Sequence, residues 1–236
     1  MHQAAEYQNR RADDKDFETK RRQELLKQEP TDITPPNSGK HIWTGKDLNQ
    51  FEKEWSMKPV TINGMFNHRQ EIQVEQMNYR GEKGYAILTP FYTHLDANGQ
   101  EQAIIVNRGW VPSDFKDLGV HYKAASTGSI TGVLYRGEAK TKYSTPNTPN
   151  TGDYHHVTPY DFSLVMQLKN QKEASEFILH MIDNDAEKRQ VLPAIPSRDE
   201  LTDWKISGER HRAYSTMWTS FAYLGILSNT FLWLCM

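Results

Sequence analysis

The sequence predicts a β-rich α+β protein, an antiparallel meander or a partly closed barrel-like domain with a short helix, followed by a C-terminal transmembrane helix. Three observations predict it. Between Lys58 and Arg136 lie five strand-like runs, PVTINGMF, EIQVEQM, GYAILTPFYTHL, AIIVNRGWVP and SITGVLYR, separated by turn residues at Asn67-His68, Gly81 to Gly84, Asp96 to Gly99 and Ser126 to Gly128. No helical pattern alternates with these runs, so nothing suggests a parallel βαβ sheet. From Ala213 the chain reads AYSTMWTSFAYLGILSNTFLWLCM, with no charged side chain.

Taken in order, residues 5–28 form a polar helix with few apolar positions, stopped by Pro30, Pro35 and Pro36. Residues 1–45 are therefore a solvated helix and an extended linker. A short helix opens near Thr44, because Leu48, Phe51 and Trp55 recur at spacings of three and four. The strand runs follow, and with what lies after them they make a β-rich domain over 46–208. Its predicted core is Val60, Ile62, Ile72, Val74, Ile87, Leu88, Ile104, Val106, Ile130 and Val133. Thr145 to Asp153 is a loop, Pro159 to Asn170 a short helix, and Glu176 to Ile182 and Thr202 to Ile206 two late strands.

The tail, 209–236, reads as a membrane span. At about 1.5 Å per residue the uncharged stretch is roughly 36 Å long, enough for a hydrocarbon core of about 30 Å. Tyr214 and Trp218 at one end, Phe231 and Trp233 at the other, suit two interfacial belts, with Lys205, Arg210 and Arg212 flanking the entry. Ser215, Thr219, Ser220, Gly225, Ser228 and Asn229 predict packing against other membrane helices. The other reading of such a run is a buried core helix.

Composition narrows the partners. Over 236 residues, 28 Lys and Arg against 30 Asp and Glu leave a formal charge of -2, with no basic run to track a phosphate backbone, so nucleic acid is not an expected partner. Cys235, the only cysteine, lies in the tail, which excludes an intramolecular disulfide, a Cys-based zinc site and a cysteine nucleophile in the body. Residues 1–28 mix Arg10, Arg11 and Lys20 with Asp13, Asp14 and Glu18, unlike an acid-poor mitochondrial presequence. Targeting is then expected to be internal, or Met1 is not the start of the original precursor.

Motifs for catalysis are scarce. GKHIWTGK (Gly39 to Lys46) has five residues between its glycines where a phosphate loop has four, and Asp47 stands in place of the magnesium-binding Ser or Thr. His155-His156 beside Asp153 are metal-ligand types, yet adjacent residues of a strand face opposite ways. No HExxH, GxSxG or CxxC occurs, so an enzyme is not expected. Two features remain. Val106, Asn107, Arg108, Gly109, Trp110, Val111 and Pro112 form a strand end with a polar pair, a glycine suited to a bulge, and a proline that ends pairing. His211, Tyr214 and Trp218 share one helical face; they are a candidate haem-binding set, or else an interfacial aromatic anchor.

At these residues the chain resembles the Surfeit locus protein 1 family, membrane proteins of mitochondria and bacteria needed to assemble cytochrome c oxidase. Tyr7-Gln8 with Arg10-Arg11 is similar to the family's WQxxR segment, PVTINGMFNH (Pro59 to His68) to its V-x-G-x-F-x-H stretch, and GYAILTP (Gly84 to Pro90) to G-x-x-x-x-T-P. VNRGWVP matches in every position, and Pro146-Asn147 and His211-x-x-Tyr214-x-x-x-Trp218 complete the order. The departures are a missing first membrane helix, Glu209-Arg210 in place of the expected asparagine, and His155 or His156 in place of an aromatic residue.

The resemblance implies a protein of the mitochondrial inner membrane with a β-rich body in the intermembrane space between two membrane helices; with the tail as its one span, this chain is expected to be single-pass. It implies a complex IV biogenesis factor that supports maturation of the largest oxidase subunit and handles haem a at His211, with Tyr214 and Trp218 as the supporting face. The expected partners are oxidase subunits or assembly intermediates, their membrane helices and the lipid bilayer. Positive charge gathered before the tail points instead to the matrix side. The alternative is a permanent accessory subunit of the oxidase or of a respiratory supercomplex.

Overall fold

The computed structural model describes residues 2–35, 39–79, 81–115, 127–138, 142, 144–183, 192–202 and 206–234. The chain divides into two compact units, Gln28–Arg198, and Met1–Lys27 together with Asp199–Met236.

In Gln28–Arg198 the elements run β1 (Thr31–Asp32), α1 (Leu48–Trp55), β2 (Pro59–Phe66), β3 (Ile72–Tyr79), β4 (Glu82–Leu95), β5 (Glu101–Pro112), β6 (Thr127–Tyr135), α2 (Pro159–Val165), α3 (Gln171–Ala174) and β7 (Ile178–Met181). Asp47 caps α1, its carboxylate accepting from the Gln50 amide at 2.8 Å. The strands form one sheet in the order β1-β2-β6-β7-β5-β4-β3, and a further pairing of Met65-Phe66 with Phe91-Tyr92 joins β2 to β4. That pairing closes β2, β6, β7, β5 and β4 into a five-stranded barrel. β1 lies parallel on β2, and β3 antiparallel on β4.

The expectation of a meander or a partly closed barrel is corrected here. β7 sits between β5 and β6, parallel to β5 (Ile105 opposite Ile178) and antiparallel to β6. A meander pairs only neighbours in sequence, whereas this strand arrives from beyond two helices to complete the ring.

The barrel interior is filled by Val60 and Ile62 from β2, Phe91 from β4, Ile104 and Val106 from β5, Ile130 and Leu134 from β6, and Leu179 from β7. One mouth is stoppered by Trp43, Phe51 and Phe177. Outside, Ala103 and Ile105 of β5 meet Phe162, Met166 and Leu168 of the α2-α3 segment. β5 is thus covered on both faces, as its unbroken apolar stretch Ala103 to Val106 requires. All ten residues predicted as core are buried. The helix predicted over 159–170 stops at Val165, where Gln167 turns to φ 52°, and restarts at Gln171.

The second unit pairs α0, the N-terminal helix His2–Leu26, with α4, Gly208–Leu234, beside a 3-10 turn at Glu200–Thr202. The strand predicted over Thr202–Ile206 falls partly outside the described residues; Thr202 itself ends the 3-10 turn. Buried positions on α0 fall at Ala5, Ala12 and Leu26, and on α4 at Gly208, His211 and Ser215. They give each helix a narrow stripe of mostly small residues. At Gly208 a Cβ would lie 3.1 Å from the Ala12 carbonyl oxygen and collide with the Asp16 carboxylate.

The C-terminal transmembrane helix is overturned. Among the described residues no helix is long and apolar enough to cross a membrane. Absence of charge is not high hydropathy: Glu209, Arg210 and Arg212 occupy the first two turns of α4, and Ser215, Thr216, Thr219 and Ser220 dilute the next two. The single-pass topology inferred from that helix falls with it.

Candidate functional site

Most of the distinctive residues of the body turn out to build the barrel. Opposite β4, residues Ala86 and Leu88 face Trp110 and Asn107, so Arg108 and Gly109 together oppose Ile87 alone. This two-against-one count is a β-bulge. Gly109 takes φ 122°, and Asn107 steadies the bulge by accepting from the Gly109 amide at 3.0 Å. A Cβ on Gly109 would lie 2.5 Å from the Ala194 carbonyl oxygen, and that carbonyl accepts from the Trp110 amide at 3.0 Å.

The Arg108 side chain is 2% exposed. Its Nη1 donates to Glu71 Oε2 at 2.9 Å and lies 3.2 Å from His68 Nδ1, while its guanidinium sits 5.2 Å from the Phe66 ring centre. Thr89 donates to the same Glu71 oxygen at 3.1 Å. Burial of a guanidinium demands such a partner. Phe66, His68, Thr89 and Arg108 come from three separate sequence motifs, and Glu71 ties them together.

Trp110 lies on β4 at Gly84, where a Cβ would come 2.5 Å from the indole. Asn147 holds the next loop: its Oδ1 accepts from the His155 and His156 amides at 2.8 and 3.0 Å, and its Nδ2 donates to Thr158 Oγ1 at 2.8 Å. His155 Nδ1 faces Glu75 at 2.9 Å and His156 Nδ1 faces Glu138 at 3.2 Å. His155 lines a cleft of about 400 Å³ with Glu71, Glu75, Asp153, Tyr85 and Tyr154. Among the described residues no three His, Cys, Asp or Glu side chains are grouped to hold a metal.

The phosphate-loop look-alike GKHIWTGK is structural as well. His41 stacks on Trp43 with ring centres 4.5 Å apart, both are buried, and the indole donates to the Glu173 carbonyl at 3.1 Å. Burial holds the His41 ring down at a pKa of about 4.

The candidate site therefore lies in the paired helices. His211, 7% exposed, has its Nδ1 2.7 Å from Gln8 Oε1, a contact spanning 203 positions of sequence. Tyr214 meets the imidazole edge-on at 6.4 Å and is itself exposed. Trp218, partly buried, turns an edge-to-face contact toward Phe221 at 6.2 Å. Arg212 bonds Asp13 at 3.3 Å and also Asp16, which holds its guanidinium above the usual arginine pKa. Small residues make room for these contacts, since Ala5 and Ala12 flank Gln8, and Gly208 and Ser215 flank His211, each about one helical turn away.

A model of the SURF1 family matches residues 6–223, nearly the whole chain. The chain belongs to the SURF1 family. It is similar to Cytochrome oxidase assembly protein SHY1 of Saccharomyces cerevisiae, 32% identical over 62 residues that cover 26% of this chain and 15% of that protein. It is similar also to Surfeit locus protein 1-like of Arabidopsis thaliana, 33% identical over 79 residues, 31% of this chain and 20% of that protein. The aligned stretches thus span a small part of either relative. The SURF1 family match reaches from before Gln8 to past Trp218, so both ends of the helix-pair site lie inside it.

Haem is the group the family resemblance implies, and the donor set fits it. An amide oxygen carries no proton, so Nδ1 of His211 donates to Gln8 and Nε2 keeps the lone pair with which an imidazole would hold a metal. His211 would ligate, with Tyr214 and Trp218 supplying aromatic surface. The contacts of Gln8 with His211 and of Glu71 with Arg108 are what the sequence does not show. Gln8 stood in a recognised motif; Glu71 had no signal, because its partner lies 37 positions away.

Proposed function

We propose that this chain acts in the assembly of cytochrome c oxidase. The SURF1 family match over residues 6–223 carries the reading, together with the similarity to the yeast cytochrome oxidase assembly protein. On this reading the chain works at the mitochondrial inner membrane, binds oxidase subunits or their assembly intermediates, and catalyses no reaction of its own. Its finer role is to support maturation of the largest oxidase subunit by handling haem a, held by His211 beside Tyr214 and Trp218. The iron supplies the coordination chemistry when bound; the protein supplies one oriented nitrogen and an apolar aromatic face.

What supports the finer role is a contrast between the two units. The Phe66, His68, Thr89, Arg108 and Asn147 side chains are engaged in holding the barrel and its loops together. His211 has one ring nitrogen engaged and the other suited to a ligand. Quantifying this chain in purified oxidase tests the reading. It should accompany immature intermediates and be depleted from the mature enzyme. A one-to-one ratio in mature oxidase would overturn it in favour of a permanent accessory subunit.

A further inference from the structure

We infer that Gln8 is the positioning residue that fixes His211 in the tautomer with its proton on Nδ1, so that Nε2 is the nitrogen offered to a haem iron. The second half of that statement rests on the haem reading above; the first stands on geometry alone. The contact is 2.7 Å, made by an acceptor-only oxygen. It joins two helices, so ring orientation is set from outside the histidine's own helix. Free imidazole side chains in water favour the proton on Nε2, which leaves the wrong nitrogen for a ligand entering from that side. A bond from Nδ1 to a fixed oxygen reverses the preference, as the outer partners of metal-bound histidines do.

The surroundings are arranged for this contact. Gln8 sits on α0 between Ala5 and Ala12, which are 5% and 0% exposed, and His211 sits on α4 between Gly208 and Ser215. Larger side chains there would hold the helices apart and carry the amide out of reach. Arg212, the next residue, bonds Asp13 and Asp16 of α0, which fixes the rotation of α4 beside the pair. The Tyr214 ring and the Ser207 carbonyl, which accepts from its backbone amide at 3.1 Å, also contact His211.

The test uses the full chain with nitrogen-15-labelled histidine, at a pH where the ring is neutral. The expected result is a His211 spectrum of the Nδ1-H form in the wild type, a shift to the Nε2-H form in Gln8→Met, and recovery of Nδ1-H in Gln8→Glu, whose carboxylate also accepts. Far-UV circular dichroism checks that each variant keeps its helices. A wild-type ring already in the Nε2-H form would overturn the inference without any variant, since it would mean that the Gln8 amide donates. So would an unchanged spectrum in a folded Gln8→Met protein.

A titration with haem, read from the Soret band, forms the second arm. Gln8→Met should weaken His211-dependent binding by about 10–100-fold and Gln8→Glu should restore it. If wild type and His211→Ala give the same titration while the tautomer follows Gln8, the haem reading fails and the positioning role stands. If haem binds through His211 with equal strength in Gln8→Met, the inference is overturned and the haem reading stands.

Discussion

Arg108 is a buried charge of the barrel unit, paired with Glu71. Its guanidinium is buried beside Phe66 and neutralised by Glu71, so removing either partner strands a charge in a medium that solvates it poorly. Arg108→Ala should cost about 3–5 kcal/mol in urea unfolding, Glu71→Ala somewhat less, and the double variant less than their sum. Additive losses would show that the two do not act as a pair. His41 carries a pH dependence of its own. The unfolded ring titrates near 6.5 and the folded one near 4, so the unfolded state binds more protons between those values. Stability is therefore full above about pH 6.5 and falls as pH drops toward 4, by an amount on the order of 3 kcal/mol. His41→Phe keeps a ring on Trp43 and removes the titrating group, and its stability should fall less steeply across that window. His180, also held down to about 4 by burial, leaves part of the slope in place. Identical pH profiles for variant and wild type would assign the slope elsewhere.

The strands were legible because each is bracketed by residues with a local conformational reason to turn. Pro59–Phe66 coincides with its run in the sequence, and the other four of the first five differ from theirs by one to two residues at the ends. The bulge was legible too, in the glycine that follows Asn107-Arg108. β7 was legible as a strand, within the run Glu176 to Ile182, but its place in the sheet was not, because its parallel partner Ile105 stands more than seventy positions away and no local signal marks that pairing. The last helix misleads for a different reason: freedom from charge is not high hydropathy, and the hydroxyl groups of Ser215, Thr219 and Ser220, which suggest packing against other membrane helices, leave the helix short of the apolarity a span needs. At the candidate site the His211 motif is legible and its contact with Gln8, 203 positions away, is not. The β4-β5 ladder makes its own prediction. Gly84→Ala drives a methyl into the Val111 carbonyl and the Trp110 ring, and Gly109→Ala combines a collision at Ala194 with a φ that L residues resist. Gly99, at the hairpin tip, has open space and only the φ cost. Melting should rank Gly99→Ala as mildest, about 1 kcal/mol, with the other two at about 1–3 kcal/mol or more. A Gly84→Ala protein as stable as Gly99→Ala would mean that Trp110 does not pack as described.

Scale changes the balance of forces between the two units. The barrel closes through contacts far apart in sequence, and its interior and outer layer are filled by large apolar side chains that include Phe91, Phe162, Phe177, Ile104 and Leu168. Among the described residues of the helix pair, the buried apolar side chains are Ala5, Ala12 and Leu26. Burial of an alanine contributes a small fraction of what a leucine or phenylalanine does. What aligns α0 with α4 is polar instead, the Gln8–His211 bond and the Arg212 bonds to Asp13 and Asp16, contacts that select one arrangement more than they deepen it. The two units should therefore open at different free energies, with the helix pair lower. Native-state hydrogen exchange reads this residue by residue. Amides in the middle of α0 and α4 should exchange through openings that need little denaturant to appear. Those of β4 and β5 should wait for unfolding of the whole barrel. Gly208→Val, which crowds Ala12 and Asp16, should lower protection along both helices together, because each is ordered by the other. Loss confined to α4, with α0 unchanged, would mean that the helices are stable singly and that the polar contacts between them are incidental. Equal protection of helix pair and barrel would mean that the chain opens only as one cooperative body.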